Sequence, residues 1–210
     1  MSSILSFVDH NKLRITNCLL LPFSVVFFIL SQLRVWIYKV GICKVSQAEV
    51  PVIVVGNITI GGSGKTPIVI TLCRYFESHN KSVGVVSRGY GGKYTQNTLK
   101  VTPLTDPKEC GDEPALIVQQ TNAKVVVAKR RSKAIKYLTS NDQVDIIISD
   151  DGLQHYAMGR DLEIVVIDGI RRFGNGLLLP AGPLREPLKR LKSVDIIINN
   201  GSIVEGEESS

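Results

Sequence analysis

The sequence predicts an α/β fold, in which a parallel sheet flanked by helices follows an amino-terminal apolar helix. Short runs rich in Val and Ile alternate with longer helical stretches after Pro51, and this alternation is typical of βαβ units. The runs are apolar throughout rather than at every second residue, as expected for parallel strands that are buried on both faces. The apolar helix, by its length and flanks, is expected to be membrane-associated.

The predicted elements occupy most of the chain after residue 50. Strands are expected at 51–56, 83–87, 124–128, 144–150, 162–168 and 194–199. Helices are expected at 64–78, 113–120 and 129–139. The predicted organisation is a membrane-associated helical segment at 1–46, a core at 47–200, and a polar, acidic and disordered tail at 201–210.

Composition restricts the class of protein. The 210 residues are 44% hydrophobic and 21% charged, which suits one main core. Residues 1–46 hold five Lys and Arg against one Asp, which is +4 of the net +6, so the remainder is nearly balanced and nucleic acid is not a favoured partner. The four cysteines lack C-x-x-C spacing and His neighbours, so reduced thiols are expected rather than disulfides or a zinc site.

The amino-terminal segment has 19 uncharged residues between Arg14 and Arg34, close to the length that spans a bilayer. Pro22 interrupts the apolar run, and Trp36 and Tyr38 follow at its basic end, where such residues favour the headgroup level. We expect a membrane helix and favour one that lies in the interface over one that spans the bilayer. A helix that packs on the globular domain is the alternative.

A glycine-rich loop follows the first predicted strand and leads into the first core helix. In such a loop, N–H groups face phosphate oxygens, the helix N-terminus adds a partial positive charge, and a lysine reaches the outer phosphates. This pattern predicts a P-loop NTPase-like fold that binds ATP, rather than a plain glycine-rich turn, although Thr59 stands where the strict pattern has glycine. The predicted phosphate-binding residues are Thr59, Gly61, Gly62, Ser63, Gly64, Lys65 and Thr66.

Two adjacent acids, Asp150 and Asp151, end the fourth predicted strand. The carboxyl edge of a parallel sheet is where ligands bind, so these acids match a Walker B position. One of them would hold Mg²⁺ opposite the Thr66 hydroxyl. An Asp-Gly turn without a ligand is the alternative.

Three further residues have both a structural and a functional interpretation. Asp112 precedes a helix and, taken alone, is best interpreted as its N-cap, with Pro114 in the first turn. Arg88 follows the second strand among glycines, where it either clamps a phosphate or belongs to a plain loop. His155 follows the paired acids, although a lone histidine is more often structural.

Five motifs in this order resemble the tetraacyldisaccharide 4'-kinase family. They are GNITIGGSGKTP at 56–67, SRGYG at 87–91, GDEP at 111–114, DDGLQH at 150–155 and PAGPLRE at 180–186. The similarity covers almost the whole chain, and Thr59 belongs to the family's own loop. The resemblance implies a bacterial kinase at the cytosolic face of the inner membrane. It would transfer the γ-phosphate of ATP to the 4'-hydroxyl of the lipid A disaccharide precursor.

The resemblance also implies roles for individual residues. Asp112 would be the base that accepts the hydroxyl proton, whether or not it also caps the helix, and Lys65 would be the second catalytic residue. Asp150, Asp151 and Thr66 would serve Mg²⁺. Candidates for phosphate, lipid or supporting contacts are Arg88, Gln154, His155, Arg185 and Glu186.

Members of this family continue beyond residue 210 with a carboxy-terminal lobe, which includes an Asp-His-His segment and a histidine that supports the catalytic aspartate. Without that lobe we expect activity to be lower by about 10²- to 10⁴-fold, unless a separate carboxy-terminal lobe supplies it. A non-catalytic ATP-binding remnant is one alternative. A membrane-associated ATPase switch is another, but Ile60 stands where that class has its signature lysine.

Overall fold

The computed structural model describes residues 15–94 and 97–201. The first 14 residues of the predicted amino-terminal segment, and positions 202–210 of the predicted tail, lie outside the described residues. The elements in chain order are α1 (Ile15–Lys39), β1 (Val52–Gly56), α2 (Lys65–Ser78), β2 (Val83–Ser87), β3 (Leu99–Val101), α3 (Pro107–Cys110), α4 (Asp112–Gln120), β4 (Lys124–Val127), α5 (Arg131–Asn141), β5 (Ile146–Asp150), β6 (Leu162–Asp168), a 3₁₀ helix (Leu188–Ser193) and β7 (Ile196–Asn200).

The seven strands form a mixed, mostly parallel sheet with the order β3-β4-β2-β5-β1-β6-β7. β5 pairs in parallel with both β1 and β2, and β2 pairs in parallel with β4. Only β3, among the pairings described for the sheet, is antiparallel, and its partner is β4. Helices α2, α4 and α5 pack against these strands. The predicted α/β class is therefore confirmed.

Element bounds differ from the predicted ones by one or two residues in most cases. The strands predicted at 83–87 and 162–168 have these bounds in the structure. The strand predicted at 144–150 begins two residues later, and the helix predicted at 129–139 is shifted by two residues. β3, α3 and the 3₁₀ helix were not among the predicted elements.

The chain divides into two compact units. Within the described residues, the first unit contains 15–42, 57–64 and 165–201, and the second contains 43–56 and 65–164. β6 therefore begins in the second unit and ends in the first. The predicted division at residues 46 and 200 stays a prediction.

The core of the second unit is built on β1, β2 and β5, in which every residue is buried. β-branched side chains suit this position because their restricted rotamers fit extended strands. Burial of one Val or Ile side chain contributes about 1.5–3 kcal/mol. The parallel register sets Val55 of β1 beside Asp150 of β5. The carboxyl ends of these two strands are therefore neighbours.

In the first unit, α1 turns polar side chains inward and apolar side chains outward. Asn17 and Ser24 are seven residues apart and so lie on one face of the helix. Asn17 Nδ2 donates to the Ala181 carbonyl (2.6 Å), while Ser24 Oγ donates to the Leu178 carbonyl (2.9 Å) and accepts from the Ala181 N–H (3.0 Å). In contrast, the side chains around the rest of the helix include Leu19, which is 71% exposed.

The apolar surface of α1 makes it a candidate membrane anchor. The helix continues through Pro22, which interrupts the apolar run in the sequence but not the helix. Residues Asn17–Lys39 are long and apolar enough to cross a membrane by length and composition, and only 6% of their apolar window is buried. The alternative considered from the sequence is a helix that only packs on the globular domain. That alternative does not explain why the apolar side chains of α1 are exposed.

Candidate nucleotide-binding site

The predicted glycine-rich loop lies between β1 and α2, as expected for a P-loop. At the end of β1, a Cβ on Gly56 would lie 2.6 Å from Leu153 Cβ, so only glycine fits this contact. The following helix begins at Lys65 rather than at Gly64. Gly64 has a φ of 78°, which is outside the helical region and is open to glycine at no steric cost.

Residues 58–60 of the loop are braced by the connector at 183–185, within the first unit. Ile60 N donates to the Pro183 carbonyl (2.8 Å), and Arg185 N donates to the Ile58 carbonyl (2.7 Å). Between these bonds, Thr59 forms an antiparallel bridge with Leu184. The PAGPLRE motif therefore supports the start of the P-loop, and Thr59 is part of that support.

The glycines of the loop have the backbone conformations that the motif requires. Gly61 has a φ of 97°, and its carbonyl accepts a hydrogen bond from Asn57 Nδ2 (3.2 Å). Ser63 is buried, whereas Gly62 is exposed. The Asn57 side chain thus links the two ends of the segment 57–61 before the helix begins.

In the second unit, Lys65 and the paired acids lie together. Lys65 Nζ is 3.6 Å from Asp151 Oδ1, and both Lys65 and Thr66 are buried. Asp150 has no exposed area, and neither of its carboxylate oxygens has a hydrogen-bond partner among the described residues. Burial, and next the charge of Glu113, raises the pKa of Asp150 to about 7, although Lys65 opposes this shift. The predicted Walker B position is therefore a buried carboxylate that lacks a protein partner in this part of the chain.

Arg131 belongs to the same cluster and was not predicted. Its Nη2 donates to the carbonyl oxygens of Asp150 (2.9 Å) and Asp151 (2.6 Å), and the side chain is buried. Burial lowers the pKa of Arg131, and the charges of Asp151 and Asp150 oppose that shift. Asp151 has a φ of 47°, so Arg131 binds the carbonyls on both sides of a left-handed residue. The basic run at 129–131, directly after the strand predicted at 124–128, is the sequence feature that could have indicated Arg131 as a site residue.

Asp112 is the first residue of α4, and its predicted role as N-cap is wrong. Gly111 occupies the cap with a φ of 93° and makes no side-chain hydrogen bond there. A Cβ on Gly111 would lie 2.5 Å from the Tyr90 carbonyl oxygen, so this close approach requires glycine. Pro114 lies in the first turn, as predicted. Asp112 is exposed at a helix N-terminus, where a negative charge is favourable.

The second-rank candidates have mainly supporting contacts in the structure. Arg88 is exposed, and its carbonyl accepts a hydrogen bond from the Tyr94 hydroxyl (2.8 Å). Gln154 and His155 lie in the turn after Asp151. The His155 carbonyl accepts from Arg160 Nη2 (2.7 Å). Of the two candidates in the connector, Arg185 contacts the P-loop through its main-chain N–H, and Glu186 is buried and forms an ion pair at 3.2 Å with Nε of the arginine four residues on.

The described residues contain no group of three His, Cys, Asp or Glu side chains arranged to hold a metal ion. All four cysteines are free thiols in the structure. Burial, the largest effect, raises the pKa of Cys73 to about 12, so its thiol stays protonated. Because the described residues bring together fewer than three such side chains at the paired acids, a cation there would need ligands other than protein carboxylates.

A glycine-rich loop between a buried parallel strand and a helix, with a lysine at its end and acids on the neighbouring strand, defines a P-loop nucleotide-binding protein. The model of the family "Tetraacyldisaccharide-1-P 4'-kinase" matches residues 16–210. The chain belongs to this family.

Similar proteins support this assignment. The chain is 57% identical over 195 residues to the tetraacyldisaccharide 4'-kinase of Ruthia magnifica subsp. Calyptogena magnifica, a match that covers 93% of this chain and 62% of that protein. The enzyme of the same name from Shewanella sediminis (strain HAW-EB3) is 51% identical over 198 residues, covering 94% and 58%. The crystal structure of the "apo" form of LpxK from Aquifex aeolicus in complex with ATP has a TM-score of 0.82 and 34% identity, covering 93% and 62%. The chain spans less than two thirds of the length of these relatives.

Proposed function

We propose that this chain is the nucleotide-binding part of an ATP-dependent kinase. The kinase transfers the γ-phosphate to the 4'-hydroxyl of the tetraacyl disaccharide 1-phosphate precursor of lipid A. The observation that carries the proposal is the placement of Lys65 beside Asp151, with Asp150 buried and unpartnered among the described residues. The acceptor is inferred from the family, whose members are named for it.

The P-loop residues would bind the ATP phosphates. The separation of 3.6 Å between Lys65 Nζ and Asp151 Oδ1 is too long for a strong hydrogen bond, so a phosphate oxygen can replace the carboxylate at the ammonium group. Gly61, Gly62, Ser63 and Gly64 would present N–H groups to the phosphates. Binding of ATP by the Aquifex aeolicus relative supports this assignment.

The residues present fit a magnesium ion. Mg²⁺ prefers oxygen ligands and retains several waters, so one or two carboxylates with a hydroxyl and phosphate oxygens suffice. Asp150, Asp151 and Thr66 would hold it, and a cation would also compensate the buried Asp150 charge. The bound ion supplies neutralisation of the charge on the transferring phosphoryl group.

Asp112 is proposed as the general base. Because Gly111 already occupies the cap position, the Asp112 carboxylate is not needed to satisfy the helix N-terminus through a cap. Its exposure leaves it accessible to an acceptor hydroxyl. The base would accept the 4'-hydroxyl proton as the oxygen attacks the γ-phosphorus, while the bond from the γ-phosphorus to the β,γ-bridging oxygen breaks and ADP leaves. Arg88 would assist by contact with a phosphate.

The acceptor is acylated, and α1 is proposed to lie in the interface of the cytoplasmic face of the bacterial inner membrane. An apolar groove of about 430 Å³ runs along α1 within the first unit. Its lining includes Leu21, Val25 and Phe28 of the helix and Leu178 and Leu184 of the connector. We assign this groove to an acyl chain of the acceptor, since a buried apolar chain gains about 0.8 kcal/mol per CH₂ group.

A carboxy-terminal lobe, in the same chain or in a separate one, is proposed to complete the catalytic site. The relatives extend beyond the part that this chain matches, by more than a third of their length. A lobe of that size would supply the support for Asp112 that the family resemblance implies and would exclude water from the cleft.

The decisive experiment measures transfer of ³²P from labelled ATP to tetraacyl disaccharide 1-phosphate in mixed micelles. The chain is assayed alone and with the unmatched carboxy-terminal part of the Ruthia magnifica relative added. Lys65→Ala should abolish both transfer and the protection by ATP against thermal unfolding, whereas Lys81→Ala, at an exposed position, should change neither. ATP protection without labelled lipid in either assay would indicate a non-catalytic remnant. Equal protection of wild type and Lys65→Ala would refute the P-loop assignment.

A further inference from the structure

Two side chains of the first unit bind consecutive carbonyl groups of the P-loop. Arg171 Nη2 donates a hydrogen bond to the Gly62 carbonyl, and Asn200 Nδ2 donates to the Ser63 carbonyl at 3.1 Å. Arg171 follows β6, and Asn200 is the last residue of β7. Neither residue belongs to a motif of the family resemblance.

Binding of these carbonyls determines where the next N–H groups point. In a planar trans peptide, the carbonyl of one residue and the N–H of the following residue point in opposite directions. With the Gly62 and Ser63 carbonyls directed at Arg171 and Asn200, the N–H groups of Ser63 and Gly64 point away from these two side chains. Within the described residues, neither N–H donates a hydrogen bond to another main-chain group. The buried Ser63 hydroxyl likewise has no partner in this part of the chain.

Arg171 is itself held in place by Asp168. Arg171 Nε donates to Asp168 Oδ2 (2.7 Å), while Asp168 Oδ1 accepts from the N–H groups of Ile170 (3.0 Å) and Arg171 (2.9 Å). The carboxylate therefore fixes both the turn after β6 and the guanidinium group. Because its charge is neutralised by Asp168, Arg171 is better suited to bind a carbonyl dipole than to bind a phosphate.

The close approach of both side chains also explains two glycines. A Cβ on Gly64 would lie 1.9 Å from Asn200 Nδ2, and a Cβ on Gly61 would lie 3.0 Å from Arg171 Nη1. Both glycines also have positive φ values, of 78° and 97°. The loop conformation and its external supports therefore require glycine at the same positions.

We propose that Arg171 and Asn200 are positioning residues for nucleotide binding, which orient the N–H groups of Ser63 and Gly64 toward the phosphates. This inference rests on the proposed function, in which residues 61–66 bind ATP. P-loop N–H groups contact the α- and β-phosphates, which ATP and ADP share. Loss of either positioning residue should therefore weaken the binding of both nucleotides to the same extent.

The test is the dissociation constant for MgATP and MgADP, measured by fluorescence titration of the full chain in detergent. Arg171→Ala should weaken the binding of both nucleotides by roughly 10- to 100-fold, because it removes a hydrogen bond from a charged group. Asn200→Ala removes a neutral hydrogen bond and should weaken binding by roughly three- to tenfold. Arg171→Lys should recover part of the loss. Asn199→Ala, at the neighbouring exposed position of β7, serves as the matched control and should bind as wild type does.

Three results would overturn the inference. Dissociation constants within twofold of wild type for both variants would show that the carbonyl contacts do not matter. A loss confined to ATP would instead assign Arg171 to the γ-phosphate. For variants that fail to fold, NMR of the wild-type chain decides the matter, because the amide protons of Ser63 and Gly64 should shift on MgADP binding. Absence of those shifts, while Lys65→Ala still abolishes binding, would refute the positioning role but leave the proposed function intact.

Discussion

Two strands of the sheet end in an aspartate, and the two carboxylates have opposite surroundings. Asp168, in the first unit, accepts hydrogen bonds from two N–H groups and from the Arg171 side chain. Asp150 is in the second unit, and neither of its carboxylate oxygens accepts a hydrogen bond from the described residues. Burial raises the pKa of both groups. At Asp168 the hydrogen bonds from Arg171 and Ile170 outweigh burial and lower the pKa, whereas at Asp150 burial prevails.

The difference separates a carboxylate that is fully hydrogen-bonded within the fold from one that we propose to be a ligand-binding group. Buried polar groups in native proteins are almost always hydrogen-bonded, so an exception usually has a functional reason. The Asp168 carboxylate has all its hydrogen-bond partners within its own turn, and its bond to the Arg171 side chain fixes the position of that guanidinium group. Under the proposed function, a ligand would supply the partner that Asp150 lacks among the described residues, and the exposed Asp112 carboxylate would be available to a substrate.

The largest effect is expected at the exposed carboxylate. Asp112→Asn removes the proposed base and should lower kcat of the complete kinase by about 10²- to 10⁴-fold. The dissociation constant for MgATP should stay within twofold of wild type, since Asp112 is not assigned to the nucleotide. Steady-state transfer assays and nucleotide titration measure the two quantities. Weakened ATP binding with an unchanged kcat would contradict the assignment.

Asp150→Asn should change function and stability in opposite directions. Loss of the buried carboxylate should weaken MgATP binding by about 10- to 100-fold, as for loss of a metal-site group. In EDTA at pH 8, however, the variant should be more stable than wild type by about 1–3 kcal/mol, because a buried charge without a partner has been removed. Urea unfolding in detergent measures this gain. A loss of stability would show that Asp150 has a partner in the fold after all.

Asp168→Asn should instead destabilise the chain. The substitution removes acceptors for charged and neutral hydrogen bonds, which should lower the free energy of unfolding by about 1–3 kcal/mol. Nucleotide affinity should fall by less than in Arg171→Ala, since the arginine remains present but is less well fixed. Urea unfolding of both variants at pH 7 gives the comparison. Equal stability of wild type and Asp168→Asn would remove the distinction between the two strand-ending aspartates.

The smallest effect is a difference in pH dependence. The pKa of Asp168 is lowered from 3.8, so its stabilisation is present above about pH 4 and is lost as the pH falls through the folded value. The stability difference between wild type and Asp168→Asn should therefore shrink below pH 4. The pKa of Asp150 is raised to about 7, so its contribution is present below about pH 4 and is lost as the pH rises toward 7. The stability of Asp150→Asn relative to wild type should therefore increase as the pH rises from about 4 to about 7. The same pH dependence of stability in both variants would contradict this expectation.

Prediction from the sequence succeeds where the signal is local. The strand at 83–87 is a continuous apolar run, and such runs are typical of buried parallel strands. β3 has only three residues and is defined by its antiparallel pairing with β4, which no local pattern reveals. The cap of α4 was misassigned because the contact between Gly111 and the Tyr90 carbonyl depends on a loop that comes earlier in the chain.

The candidate site divides in the same way. Lys65 and Asp151 were each predicted as site residues, because a P-loop motif and a strand end carry their own signatures, and the structure shows them 3.6 Å apart. Arg131, Arg171 and Asn200 act through main-chain carbonyls, so they need no particular sequence around the acceptor. Arg171 and Asn200 reach residues that lie 109 and 137 positions earlier in the chain. Only the folded chain brings these donors and acceptors together.

Because the polar side chains of α1 face inward and its apolar side chains face outward, the outward face can be changed without altering the contacts that hold the helix to the connector. Its hydrogen bonds to residues 178 and 181 come from Asn17 and Ser24, so the outward apolar side chains take no part in them. Exchanging Leu19, Phe23 and Val26 for glutamine would leave those bonds and the groove residues in place. Such a chain would expose less apolar surface, and a short-chain soluble acceptor would then test the proposed phosphorylation independently of vesicle binding.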